Sequence, residues 1–168
     1  MSLYINKSNE TNFAQVGDVQ IAWRSTGQGQ PLLMLNRFRA AIDDWDPQLI
    51  VALARTYQVI TFDSAGVAAS GGNVPDTLEG AADIAFGLAQ AIGLDRPHVL
   101  GWSMGGMQTL FWAMAYPERM RAILPFCCTA RCWPHNRVFL EGVKAALCAD
   151  AAWLGGRYSV PPERGLRA

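Results

Sequence analysis

Polar and apolar residues alternate at the start of the chain. Phe13–Val16 and Val19–Arg24 read as two short strands, with Gly17-Asp18 as the tight turn of a hairpin. Leu32–Leu35 is apolar without a break, which suits a strand buried on both faces, as in a parallel sheet. Trp45–Arg55 carries Trp45, Leu49 and Leu53 at helical spacing, and Tyr57–Phe62 is a second buried strand. Thr77–Ile92 predicts an amphipathic helix running through Ile84, Leu88 and Ile92, with Thr77 as N-cap and Gly93 just past its end. His98–Leu100 reads as a third strand of this kind, Met104–Tyr116 as a helix stopped by Pro117, and Ala122–Phe126 as a fourth. A hairpin followed by strands alternating with helices predicts the α/β class, with a mostly parallel sheet flanked by helices.

From Cys127 onward the pattern changes. Asn136–Ala149 keeps helical spacing through Val138, Phe139, Val143 and Leu147, whereas Gly155–Ala168, rich in glycine, proline and arginine, reads as a loop. The expected organisation is a core over residues 1–128 and the start of a lid or cap segment over 129–168. The helix at Asn136–Ala149 is expected to close over the mouth of the core.

Composition narrows the function classes. With 168 residues, 51% apolar and 17% charged, the chain is long and apolar enough to fold around a core. Fourteen basic residues balance fourteen acidic ones, so no basic stripe for nucleic acid is expected. No apolar run approaches the roughly 20 residues that span a bilayer. The opening MSLYINKSNETNF lacks the layout of a signal peptide, so the expectation is a cytoplasmic protein with no membrane partner. Cys127, Cys128, Cys132 and Cys148 are expected as reduced thiols. Cys128, Cys132 and His135 match no paired zinc spacing, so no metal is expected.

Gly101-Trp102-Ser103-Met104-Gly105 carries the chemistry. It fits G-x-S-x-G between a predicted strand and a predicted helix, the context in which a serine is lifted out of a sheet on a strained turn. Glycines two before and two after let strand and helix approach without Cβ clashes, and the helix N-terminus aims free N–H groups at the same spot. Ser103 is thus the candidate nucleophile, and its backbone is expected at positive φ.

Here the chain resembles the α/β-hydrolase fold family. PLLMLNRFRAAIDDWDPQLI, YQVITFDSAGVAASG and HVLGWSMGG look like the front of small cofactor-free hydrolases. From the serine turn onward, GGMQTLFWAMAYPERMRAIL, TARCWPHNRVFLEGVKAALCADAAWLGGRY and PPERGL are similar to the homoserine O-acetyltransferase branch. The resemblance implies an α/β-hydrolase sheet that stops soon after the start of the lid, no cofactor, and a small-molecule ester or acyl donor as partner. It implies oxyanion donors at the N–H of Met104 and of Phe38, in the loop after Leu35. That loop usually opens His-Gly, and Asn36-Arg37 stands there instead. Asp63 matches a turn residue read as structural.

In this fold the order is serine, then acid, then histidine. After Ser103 the chain offers His135 and the acids Glu118, Glu141, Asp150 and Glu163. His135 is carried as a base candidate, with a loop or lid role as its alternative. His98 precedes the nucleophile and is read as belonging to the packing of that strand or to its exposed start. The function expected is acyl transfer through an acyl-Ser103 intermediate, to water or to an alcohol, by machinery that the resemblance implies is incomplete in this chain. The alternative is an inactive, shortened chain that acts through association, by way of an exposed sheet edge.

Overall fold

The computed structural model describes residues 10–167. The polar opening over residues 1–9, part of the stretch read above as carrying no leader, lies outside them. Two compact units are present, Met1–Thr129 and Ala130–Ala168.

The first unit is built on a six-stranded sheet. β1 (Asn12–Val16) and β2 (Val19–Thr26) form the expected hairpin, turning through Gly17 at φ 59°. β2 lies antiparallel to β4 (Tyr57–Phe62), and the next pairs are parallel: β4 with β3 (Gln30–Leu35), β3 with β5 (His98–Trp102), and β5 with β6 (Ala122–Phe126). The order across the sheet is β1-β2-β4-β3-β5-β6. Unbroken apolar runs have two faces to bury, and both are used at the centre of the sheet. Leu33, Leu35, Ile60, Phe62 and Val99 pack into one core with Leu88 of α2 (Leu78–Ala91) and Trp112 of α3 (Met104–Ala115). Leu32, Met34, Val59 and Leu100 form the other core with Trp45 and, from α1 (Pro47–Leu53), Ile50 and Leu53. Thr77 caps α2 as expected, its hydroxyl accepting the Gly80 N–H at 3.0 Å.

Several boundaries differ from the sequence reading: β2 runs on to Thr26, β3 starts at Gln30 and α1 ends at Leu53. The helix expected from Trp45 starts at Pro47, because Asp46 caps it by accepting the Gln48 N–H at 2.8 Å and proline fits the first helical position. Trp45 is thereby left extended and sinks into the core. β5 also continues two residues further, to Trp102, which pairs with Phe126.

β6 is an edge strand. The Phe126 carbonyl turns towards β5 and accepts the Ser103 N–H at 3.0 Å. Backbone groups alternate along a strand, so the nitrogen of Pro125 faces the open edge, where its missing N–H interrupts no existing ladder. Leu124 on this strand is 58% exposed.

In the second unit, α4 (Pro134–Ala149) starts two residues before the predicted Asn136, again with proline in the first turn. Its Val138, Phe139 and Val143 are more than half exposed. The tail expected as a loop instead holds a 3₁₀ turn (Leu154–Gly156) and a short helix, α5 (Glu163–Arg167). Asp150 supplies the missing order: its carboxylate accepts the Ala152 N–H at 2.9 Å and the Gly165 N–H at 3.0 Å. These backbone bonds, the one from Ala152 foremost, hold its carboxyl below the ordinary aspartate range. α5 also lies against α4 so closely that a Cβ on Gly165 would come within 2.7 Å of the Leu147 Cα. No helix among the described residues is long and apolar enough to cross a membrane.

Candidate active site

Ser103 is the hinge between β5 and α3, at φ 55° and ψ −112°. A non-glycine residue rarely occupies this region, and it persists only where its surroundings hold it. Here the backbone is tied on both sides. The Ser103 N–H donates to Phe126 O, and its carbonyl accepts the Met107 N–H at 3.2 Å. A serine at a helix start normally spends its hydroxyl as a cap. Ser103 makes no such side-chain bond and is half-buried, so its hydroxyl is not tied to the helix it opens.

The glycines are explained by close approach. A Cβ on Gly101 would run into the Gly105 carbonyl and lie 2.6 Å from Thr109 Cγ2, while one on Gly105 would run into the Leu35 carbonyl and lie 2.7 Å from Asn36 O. The first turn of α3 therefore rests directly on the end of β3. That contact brings the loop after Leu35 to the helix N-terminus, where the Met104 N–H is one of the donors left without an intrahelical partner. The loop itself is anchored by Asn36, which is buried. Its side-chain amide donates to Phe62 O at 2.6 Å and accepts the Trp45 indole N–H at 2.7 Å. Arg37 O then accepts the Ala40 N–H at 3.2 Å across a tight turn, and Arg39 follows with φ 58°. Within that turn the Phe38 N–H has no acceptor among the described residues, and the Phe38 ring is 64% exposed.

The other candidates fall into place one by one. Asp63 is buried and binds loops: its carboxylate accepts the Ile42 N–H at 2.8 Å and the Ala69 N–H at 3.1 Å, and its carbonyl accepts the Ser70 hydroxyl at 2.7 Å. His98 opens β5, about 16 Å along the strand from Ser103 at roughly 3.3 Å per residue, and meets the edge of Tyr57 at 5.5 Å. His135 is exposed in the first turn of α4, within the second unit. Of the acids after Ser103, Asp150 serves the α4–α5 turn. Glu163 pairs with Arg167 at 3.0 Å, and Glu141 faces Lys144 at 3.9 Å. Glu118 lies in a 3₁₀ turn, Pro117–Arg119. Among the described residues no three His, Cys, Asp or Glu side chains gather as a metal site.

Sequence reasoning missed the aromatic cluster beside Ser103. Trp102 stacks on Phe126 with centroids 6.1 Å apart and leans on Trp45 at 5.8 Å, and the Arg37 guanidinium sits 5.2 Å above its ring. Alternation along β5 carried a usable signal, since Trp102 must share a face with Leu100.

Comparison with known proteins places the fold. A homoserine O-acetyltransferase of Rhodopseudomonas palustris (strain HaA2) is 42% identical over 83 residues, covering 47% of this chain and 21% of that protein. A homoserine O-succinyltransferase of Burkholderia vietnamiensis is 38% identical over 84 residues, with 48% and 22% covered. Among solved structures, an α/β-hydrolase fold protein from Chitinophaga pinensis superimposes with a TM-score of 0.77 at 26% identity, over 86% of this chain and 54% of that one. The enol-lactonase of Burkholderia xenovorans LB400 gives 0.68 at 23% identity, over 80% and 53%, and shares the fold. The chain thus spans about a fifth of these curated relatives and about half of these structural ones. Residues 30–135, from β3 through the Ser103 turn to the start of α4, match the family model for the α/β-hydrolase fold, and the chain belongs to that family.

Proposed function

We propose that this chain carries the nucleophile and oxyanion site of an acyl-transfer enzyme, with Ser103 forming the acyl-enzyme. The observation that carries the reading is the Ser103 turn, with positive φ, a hydroxyl not used as a cap, and the first N–H groups of a twelve-residue helix at its side. In the step, the Ser103 oxygen bonds to the acyl carbon and its proton passes to a base. The N–H groups of Met104 and Phe38 steady the oxyanion, and the leaving group departs on collapse. Water or an alcohol then takes the acyl group. The homoserine O-acyltransferases among the relatives support an alcohol as acceptor.

Proton transfer is the demanding part, because a serine hydroxyl at neutral pH needs an imidazole within about 3 Å. The sequence holds two histidines. His98 is at the wrong end of β5, which leaves His135 as the histidine to be tested as base, with a loop or lid role as its alternative. The experiment is acylation of the chain by p-nitrophenyl acetate, with the modified peptide located by mass spectrometry, for the wild type, Ser103→Ala and His135→Ala. Acetyl on Ser103, lost in Ser103→Ala, is expected; acetylation elsewhere, or undiminished in Ser103→Ala, would overturn the reading. A fall of about 10⁴-fold or more in His135→Ala would make His135 the base.

A second reading, association of an inactive chain through its sheet edge, draws support from the open side of β6 and the exposed Leu124. Sedimentation velocity checks it: a monomer at high micromolar concentration excludes self-association.

A further inference from the structure

Arg37 brings a cation to the turn that carries Ser103. Its guanidinium lies 5.2 Å from the centroid of the Trp102 ring, and Trp102 directly precedes Ser103. On its other side in the chain, Arg37 directly precedes Phe38, whose N–H is the second oxyanion donor of the reading above. The ring beneath the guanidinium is itself held, between Trp45 and the stacked Phe126. A planar cation resting on a fixed indole is pre-oriented, and a guanidinium presents five N–H donors in a fork that fits a carboxylate.

Few of those donors are committed. Nη1 donates to Phe38 O at 3.3 Å, and Nη2 faces an Asp44 oxygen at 3.5 Å, a long separation for an ion pair. The other Asp44 oxygen already accepts the Ala41 N–H at 2.7 Å, so Asp44 is held by its own turn. The Arg37 side chain is 37% exposed, open to a ligand from solvent. An arginine whose only task was to brace the loop would be expected to show a short, two-pronged pair with Asp44, and it does not.

We propose that Arg37 is a specificity-determining residue that takes a carboxylate of the substrate beside Ser103, so that the substrate class is a carboxylate-bearing ester or hydroxy acid. This rests on Ser103 as the reacting group only in naming the ligand a substrate. The carboxylate site is testable without turnover.

The experiment uses the full chain carrying Ser103→Ala and follows the Arg37 Nε–H resonance in a proton–nitrogen correlation spectrum, assigned by its loss in Arg37→Lys. Monomethyl succinate places the carboxylate on the acyl side and γ-hydroxybutyrate on the acceptor side; dimethyl succinate and butanediol are their neutral counterparts. A saturable shift with at least one anion is expected, about tenfold weaker or absent with its neutral partner, and whichever anion binds tells which side of the reaction Arg37 reads. Arg37→Gln, checked as folded by its backbone amide spectrum, should weaken anion binding about tenfold, the worth of one charge-assisted hydrogen bond. Asp44→Asn should leave that binding intact or tighten it. Equal shifts with anion and neutral partner, no shift with either anion, or undiminished binding in Arg37→Gln would overturn the proposal. Acylation that fails at Ser103 while the Arg37 signal responds to the anion would overturn the acyl-transfer reading and leave the carboxylate site standing.

Discussion

Replacing Gly105 by alanine adds a single methyl group where α3 meets the end of β3. In an open helix that change is favourable by about 1 kcal/mol, because alanine loses less backbone freedom than glycine. At Gly105 the new Cβ would lie 2.5 Å from the Leu35 carbonyl carbon and 2.7 Å from Asn36 O, where ordinary contacts begin near 3.4 Å. Both obstacles are backbone atoms, so no side-chain rotation relieves them and the helix or the strand end must move. Overpacking of this kind costs about 1–3 kcal/mol, and with obstacles on two residues the upper part of that range applies. Subtracting the propensity gain leaves a net loss of about 1–2 kcal/mol for Gly105→Ala. Gly142 in α4 provides the opposite case, since it is exposed and a Cβ there would meet nothing within 4 Å. Gly142→Ala should stabilise α4 by about 0.5–1 kcal/mol. Urea unfolding followed by tryptophan fluorescence reads the first change. With a slope of about 2 kcal/mol per molar urea, the middle of the usual range, the midpoint of Gly105→Ala should fall by roughly 0.5–1 M. Hydrogen exchange of the α4 amides reads the second, as slower exchange in Gly142→Ala. A midpoint for Gly105→Ala equal to or above the wild type would refute the close packing of α3 on β3, and with it the route that brings Phe38 to the Ser103 turn.

Two further outcomes follow from the buried and capping carboxylates. Asp63→Ala strands the Ile42 and Ala69 N–H groups, at about 1–3 kcal/mol each when unpaired, so a loss of about 2–6 kcal/mol is expected in the same urea assay; a loss under about 1 kcal/mol would show that water replaces the carboxylate. The Asp150 carboxyl is held below its ordinary range by the Ala152 and Gly165 N–H groups, so its contribution is present above the ordinary aspartate range and is lost as pH falls through the lowered folded value. Exchange protection of the Gly165 amide should therefore drop in that acid window in the wild type and lose this pH dependence in Asp150→Asn; protection constant through the window in the wild type would contradict it.

The elements that the sequence makes plain are those decided by their own residues. β3 and β4 announce themselves as unbroken apolar runs, and the Thr77 cap, the α2 periodicity and the Gly101–Gly105 spacing around Ser103 are local facts. What the sequence conceals is settled across the sheet. Trp45 looks like the first residue of a helix, but burial beside Met34 and a bond to Asn36 draw it out of that role, and Asp46 then caps α1. The tail looks like a loop because Gly165 and two prolines weaken any helix, and only Asp150, fifteen residues away, supplies the anchor that orders it. Arg37 and Trp102 are separated by more than sixty positions, and they meet because β3 pairs with β5, a neighbourhood that no window along the chain displays.

The side-chain amide of Asn36 has a consequence for how the site responds to protons. It holds the loop after β3 by giving one hydrogen bond, to Phe62 O, and receiving one, from the Trp45 indole. An imidazole could fill both roles only in its neutral form. Near its ordinary pKa of about 6.5 it would gain a proton and confront the indole N–H with a second donor. An amide has no such transition, so the anchor of the Phe38 turn keeps the same polarity from mild acid to mild base. In the acylation proposed for Ser103, a pH profile would then carry no contribution from the Asn36 anchor itself.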